Sequence, residues 1–216
     1  PLLVQIYAPN LTSGKGGKAS LFSSQDWVRV LRHGVDPTGR SLLFMPAQYY
    51  RYYSDADLGA IVAYIQSLPP VDKESPPRRI FTVGQILFAL DTFGQTPAEI
   101  IDHRSVPPKP PQDGVSPEYG EFLVNVGTCK NCHGENLAGG EVGPDDPFAP
   151  NLTAGGELIG WTEEDFIALI RTGVHPSGRK IDPVMPWQSY RKMTDSELRA
   201  IWVYLQGLPA LETNER

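Results

Sequence analysis

The chain is predicted to be mainly α-helical, with two small helical bundles in tandem joined and laced by long irregular loops. Three features carry that expectation. An internal repeat spans most of the 216 residues. Each copy holds two amphipathic helix signatures with matching start and stop residues. The stretches between them, such as Gly134 to Pro150, are rich in Gly, Pro and Asp and read as loop.

The repeat can be followed segment by segment. Ala8-Pro9-Asn10-Leu11-Thr12 recurs as Ala149-Pro150-Asn151-Leu152-Thr153, and Leu31-Arg32-His33-Gly34-Val35 as Ile170-Arg171-Thr172-Gly173-Val174. Met45-Pro46-Ala47-Gln48-Tyr49-Tyr50-Arg51 matches Met185-Pro186-Trp187-Gln188-Ser189-Tyr190-Arg191. Asp26 to His33 and Asp165 to Thr172 are read as short helices, the second opened by Thr162-x-x-Asp165 and both stopped by a glycine, Gly34 or Gly173. Ser54 and Thr194 are the N-caps of longer final helices, whose apolar faces are Leu58/Ile61/Val62/Ile65 and Leu198/Ile201/Trp202/Leu205. His33 aligns with Thr172 and His175 with Asp36, so neither histidine is repeated and both are expected at the surface. The resulting division is residues 1–73, a connector at 74–116 and residues 117–216. Pro76-Pro77, Pro107-Pro108 and Pro110-Pro111 stiffen the connector. Its apolar run Ile80 to Leu90 is about half of what a helix needs to cross a bilayer, and Asp91 ends it. It is expected to be a helix packed between the domains or onto a partner.

Both cysteines lie in Cys129-Lys130-Asn131-Cys132-His133. C-x-x-C-H supplies two thiols for the vinyl groups of a haem and an imidazole for one face of its iron. A structural zinc site needs four N or S ligands, and His33, His103 and His175 stand in no partner spacing to this motif. A thioredoxin-like pair expects a preceding strand. Here Tyr119, Phe122, Leu123 and Val126 give Pro117 to Thr128 a helical period, so the haem reading is preferred. Of the three methionines, Met185 sits in Pro183-Val184-Met185-Pro186, a non-helical segment that holds its thioether in place. Met193, before the cap Thr194, reads as a packing residue. A His/Met pair raises the potential of haem iron and closes its coordination, which suits electron transfer.

Residues 117–209 resemble a class I cytochrome c domain. The resemblance rests on the first helix, Cys129-x-x-Cys132-His133, Pro150-Asn151-Leu152-Thr153, Met185-Pro186 and the last helix. It implies a covalent haem c at Cys129 and Cys132, with His133 and Met185 on the iron and the Pro150 carbonyl accepting from His133 Nδ1–H. It implies too that the first and last helices cross at a small residue, for which Gly120 against Ile201/Tyr204/Leu205 is the equivalent. Asn151-Leu152-Thr153 is then part of this loop rather than a glycosylation site. The N-terminal copy keeps its ligand loop but has no C-x-x-C-H, whose equivalent would fall upstream of Pro1. Met45 is accordingly expected to ligate a second haem whose attachment motif lies in that upstream stretch.

The formal net charge of −6 argues against nucleic acid. The tandem pattern resembles dihaem cytochromes and cytochrome subunits of membrane-associated dehydrogenases. That resemblance implies an electron carrier without a substrate of its own, working at the periplasmic or extracytoplasmic face of the membrane. Its partners would be redox proteins or a membrane-associated oxidoreductase complex, with no transmembrane segment in the chain. The alternatives are a dihaem enzyme, thiosulfate dehydrogenase-like or peroxidase-like, and a docking subunit of a larger complex.

Overall fold

In the computed structural model, residues 3–90, 95–106, 109–143 and 145–215 are described. Asp91 and Pro107-Pro108, which the sequence marks as a helix stop and part of the connector, lie outside them. The chain divides into two compact units, Pro1–Pro108 and Lys109–Arg216.

The first unit runs β1 (Val4–Gln5), α1 (Ser24–His33), α2 (Ala47–Tyr50), α3 (Asp55–Ser67), β2 (Arg79–Ile80), α4 (Thr82–Ala89) and α5 (Pro97–Ile100). Helix α1 begins at a capping box in which Ser23 Oγ accepts from the Asp26 N–H and Asp26 accepts from the Ser23 N–H. It stops where Gly34 turns left-handed at φ 63°. Its buried residues Trp27 and Leu31 are one turn apart and meet a core that includes Ala47, Tyr49 and Leu58. Buried Arg32 ties α1 to the start of α3, donating to the Tyr53 carbonyl at 3.0 Å and to Asp55 at 2.8 Å.

The first unit extends past residue 73. Strand β2 pairs antiparallel with β1, Val4 opposite Ile80. Gly84 of α4 lies so close to the Leu3 backbone that a Cβ would fall 2.2 Å from its oxygen. Ala98 and Ile101 are buried in this unit, and α5 packs on α2. What the sequence marks as connector therefore carries pieces of a packed domain. Its prolines mask this, because α5 starts with Pro97 in its first turn, where the missing N–H costs nothing. Helix α4 leaves Val83, Ile86 and the adjoining Leu90 exposed. Among the described residues no helix is long and apolar enough to cross a membrane.

The second unit runs α6 (Pro117–Val126), α7 (Lys130–His133), α8 (Glu163–Thr172), α9 (Trp187–Tyr190) and α10 (Asp195–Gln206). Helices α6 and α10 cross at Gly120, where a Cβ would stand 2.0 Å from the Ala200 carbonyl oxygen. Around that crossing Leu123, Val124, Phe166, Ile170, Leu198 and Ile201 form the core. Capping boxes Thr162/Asp165 and Thr194/Glu197 open α8 and α10, and Gly173 (φ 69°) ends α8. A side chain at Gly173 would also collide with the Trp187 indole, 2.4 Å from the nearest ring carbon.

The units repeat at the level of single hydrogen bonds. Arg171 donates to the Arg191 carbonyl and to Asp195 as Arg32 does to the Arg51 carbonyl and Asp55. Asn10 accepts from the Thr12 N–H and donates to the Val71 carbonyl; Asn151 accepts from the Thr153 N–H and donates to the Leu211 carbonyl.

Candidate haem site

The motif cysteines are placed by the way α6 ends. After Gly127, Thr128 adopts a left-handed conformation (φ 58°), unusual for a β-branched residue. This folds the chain back so that the Cys129 N–H reaches the Val124 carbonyl at 3.1 Å. The single turn of α7 then carries Cys132 and His133, with the His133 N–H bonded to the Cys129 carbonyl. Both thiols are free and half-buried. Burial pushes Cys129 up to about 12 and raises Cys132 as well. Such thiols have little thiolate character, which argues against a redox-active pair or a preformed zinc site and is compatible with thioether formation.

His133 is buried, and its Nδ1–H donates to the Pro150 carbonyl oxygen at 2.8 Å. The segment bearing Pro150 is held there by the bridge between Gly140 and Ala149 and by the Leu152 N–H, which donates to the Leu137 carbonyl. Asn151 and Thr153 are nearly fully buried in these internal bonds. Burial holds the imidazole below its ordinary titration, against the opposite pull of the Pro150 bond. The ring is therefore neutral, with Nε2 left as the nitrogen able to bind a metal.

A cavity of about 400 Å³ occupies the centre of this unit and is walled by Cys129, Cys132, His133, Met185 and apolar side chains such as Leu123 and Phe166. It is partly open to solvent, and its walls are mainly apolar. Two thiols, a neutral imidazole, a thioether and apolar walls fit a haem c.

Met185 reaches the cavity from a loop closed by bonds from its own N–H to the Asp182 carbonyl (3.1 Å) and from the Trp187 N–H to its carbonyl (2.8 Å). Tyr190, one turn along α9, donates its hydroxyl to the Gly127 carbonyl at 2.8 Å, linking the methionine loop to the cysteine segment. Burial, with Cys129 nearby, pushes that phenol up to about 12. The structure thus brings together Cys129, Cys132, His133, Pro150 and Met185. Met45 belongs to the first unit, half-buried, with its carbonyl accepting from the Ala47 N–H in the same turn as Met185.

Three features of the site are not evident from the sequence. Met193 also lines the cavity. Tyr190 bridges two parts of the site, a role its repetition as Tyr50 hints at. His175, expected at the surface, instead lies against the cavity wall with its side chain only 16% exposed, because the turn from Val174 to Lys180 folds onto Glu157.

A helical unit whose C-x-x-C-H lines an apolar cavity together with a methionine has the residues of a c-type cytochrome. Residues 117–205 match a cytochrome c family, described as cytochrome c oxidase, cbb3-type, subunit III. Similarity to such a family implies covalently bound haem c. Over 95% of its length the chain is 26% identical to the fructose dehydrogenase cytochrome subunit of Gluconobacter japonicus, of which it covers 45%. It is 28% identical over 94% of its length to a nicotinate dehydrogenase subunit of Pseudomonas putida, covering 18% of that protein. It is 26% identical over 95% of its length to a diheme c-type cytochrome of Cereibacter sphaeroides, covering 71%. The chain thus spans less than half the length of the first two of these relatives.

Proposed function

We propose that the protein transfers electrons through a His133/Met185-ligated haem c in its second unit, as part of a dihaem cytochrome. The observation that carries this is the convergence of both thiols, the His133 ring fixed by Pro150 and the Met185 thioether on one apolar cavity. When bound, the haem supplies one-electron chemistry at its iron. The chain supplies the rest. Cys129 and Cys132 anchor it. Pro150 orients His133 and strengthens it as a ligand. Met185 would supply the second ligand, and the apolar walls would limit water at the site. Closed coordination leaves no position for a substrate, which favours a carrier over an enzyme.

In this reading Met45 ligates a second haem in the first unit, with attachment residues upstream of Pro1. Support comes from the repeat, which preserves the methionine turn and its surrounding bonds, and from the buried indole N–H of Trp27, which has no partner among the described residues. Electrons would arrive from a dehydrogenase or quinol-oxidising complex and leave to a terminal acceptor, at the periplasmic face of a bacterial membrane. The relatives named as dehydrogenase subunits make such a complex the first partner to test. The deciding experiment is a pyridine haemochrome and ferric spectrum of the protein carrying its upstream residues. Two haems per polypeptide and a methionine–iron charge-transfer band are expected. One haem would sink the dihaem part, and a high-spin spectrum without that band would sink the carrier reading.

A further inference from the structure

We infer that Glu157, His175 and Arg179 form a redox-linked proton site, in which His175 takes up a proton when an electron reaches the iron and releases it when the electron leaves. This rests on the haem reading above and adds to it a coupling between electron and proton.

His175 Nε2 lies 2.9 Å from Glu157 Oε1, and Arg179 Nη2 lies 3.1 Å from the same oxygen. Glu157 and Arg179 are the charged groups that face the ring. Its plane meets the Trp161 indole edge-on at 4.9 Å. On the other nitrogen, Nδ1 accepts from the Ser177 N–H at 3.0 Å and lies 2.7 Å from Ser177 Oγ. All of Glu157, Trp161, His175 and Arg179 line the cavity that His133 and Met185 line, where Asp182 is the other carboxylate.

This arrangement offers the ring partners in both protonation states. In the neutral ring, Nε2–H donates to Glu157 and Nδ1 accepts from Ser177. In the charged ring Nε2–H keeps its carboxylate, and the new Nδ1–H donates to Ser177 Oγ, whose hydroxyl hydrogen can turn away, while the Ser177 N–H gives up its bond to Nδ1. Arg179 shares the carboxylate and offsets part of its charge. Reduction then decides. An added electron lowers the charge on the iron by one and favours a positive charge at the wall of the same low-dielectric cavity. The balance is simple: the iron gains one electron from a redox-protein donor, His175 gains one proton from water, and only an N–H bond forms. Histidine is the side chain whose ordinary titration lies near neutrality.

The first unit lacks this device. Its equivalent turn carries Asp36, bonded to Thr38 and Arg40 and held at about 2, so it stays ionised at neutral pH.

The test is a spectroelectrochemical titration of the haem-loaded protein between about pH 5 and pH 8. The midpoint potential should fall as pH rises, by about 59 mV in total for each tenfold difference in His175 proton affinity between oxidation states. His175→Gln should abolish the slope and hold the potential at its low, alkaline level. Glu157→Gln should move the window to lower pH. A flat wild-type profile, or an unchanged slope in His175→Gln with an intact spectrum, would overturn the inference and leave the carrier reading standing. Absence of a methionine-ligated spectrum in the wild type would overturn that reading instead. Should His175→Gln fail to fold, the His175 ring proton can be titrated by NMR in both oxidation states of the wild type. Equal affinities there also overturn the proposal.

Discussion

Two methionines reach the cavity, and their settings assign them different tasks. Met185 hangs in a loop pinned by Asp182 and Trp187, whereas Met193 leads into the cap of α10 and packs on the core. Met185→Ala should erase the methionine–iron band and lower the potential, while Met193→Leu keeps both; ferric spectra decide. Tyr190→Phe removes the bond to the Gly127 carbonyl at a cost of about 1 kcal/mol. With its phenol pushed up to about 12, the donor is present throughout the neutral range. The variant should therefore lose the methionine band at a lower temperature than the wild type at any neutral pH. Asp36 offers a pH test in the first unit. Burial raises its pKa, but hydrogen bonds from Thr38 and Arg40 outweigh that and bring it down to about 2. A carboxylate depressed in the fold stabilises above its unfolded value near 4 and stops doing so as pH falls through about 2. Asp36→Asn should cost on the order of 1–2 kcal/mol at neutral pH, and the difference from wild type should shrink in acid denaturation.

Among the elements, the crossing of α6 and α10 tolerates the least change. Because a Cβ on Gly120 would meet backbone rather than a pliable side chain, Gly120→Ala should destabilise by about 3 kcal/mol or more, read by thermal unfolding of the haem-loaded protein. Much of this architecture is legible in the residues. The capping boxes at Thr162 and Thr194 and the glycine stops at 34 and 173 signal themselves locally, since capping needs only neighbours within one turn. The motif and the Pro150 contact are legible for a different reason: they travel together in a recognisable pattern. What escapes is set by distance. Residues 79–101 look like connector because paired prolines flank them and their partners, Leu3 and helix α2, lie far back in the chain. His175 looks superficial because Glu157, the group that draws it inward, belongs to another loop.

At the level of the whole chain, the two units share matching bonds at matching residues. Arg32 and Arg171 staple the same two helices in their respective units, and Asn10 and Asn151 organise the same loop. Yet the copies are not equivalent electrically, since Asp36 in one stands where His175 stands in the other. If both units hold haem, two unequal potentials are expected, of which only the second moves with pH near neutrality. Resolving two redox waves in the protein that carries its upstream residues checks this directly.

The loop that presents Pro150 to His133 is closed from outside by the residues that follow α10. Leu211 bonds to Asn151 and Thr153, and Asn214 bonds to Asn136, Ala138 and Gly139. During synthesis the cysteines emerge some eighty residues before these partners, so the bonds that hold the Pro150 loop cannot form until residues 211–214 are available. The topology therefore sets an order of folding: the motif is made first, and the segment after α10 fixes the loop that orients its imidazole.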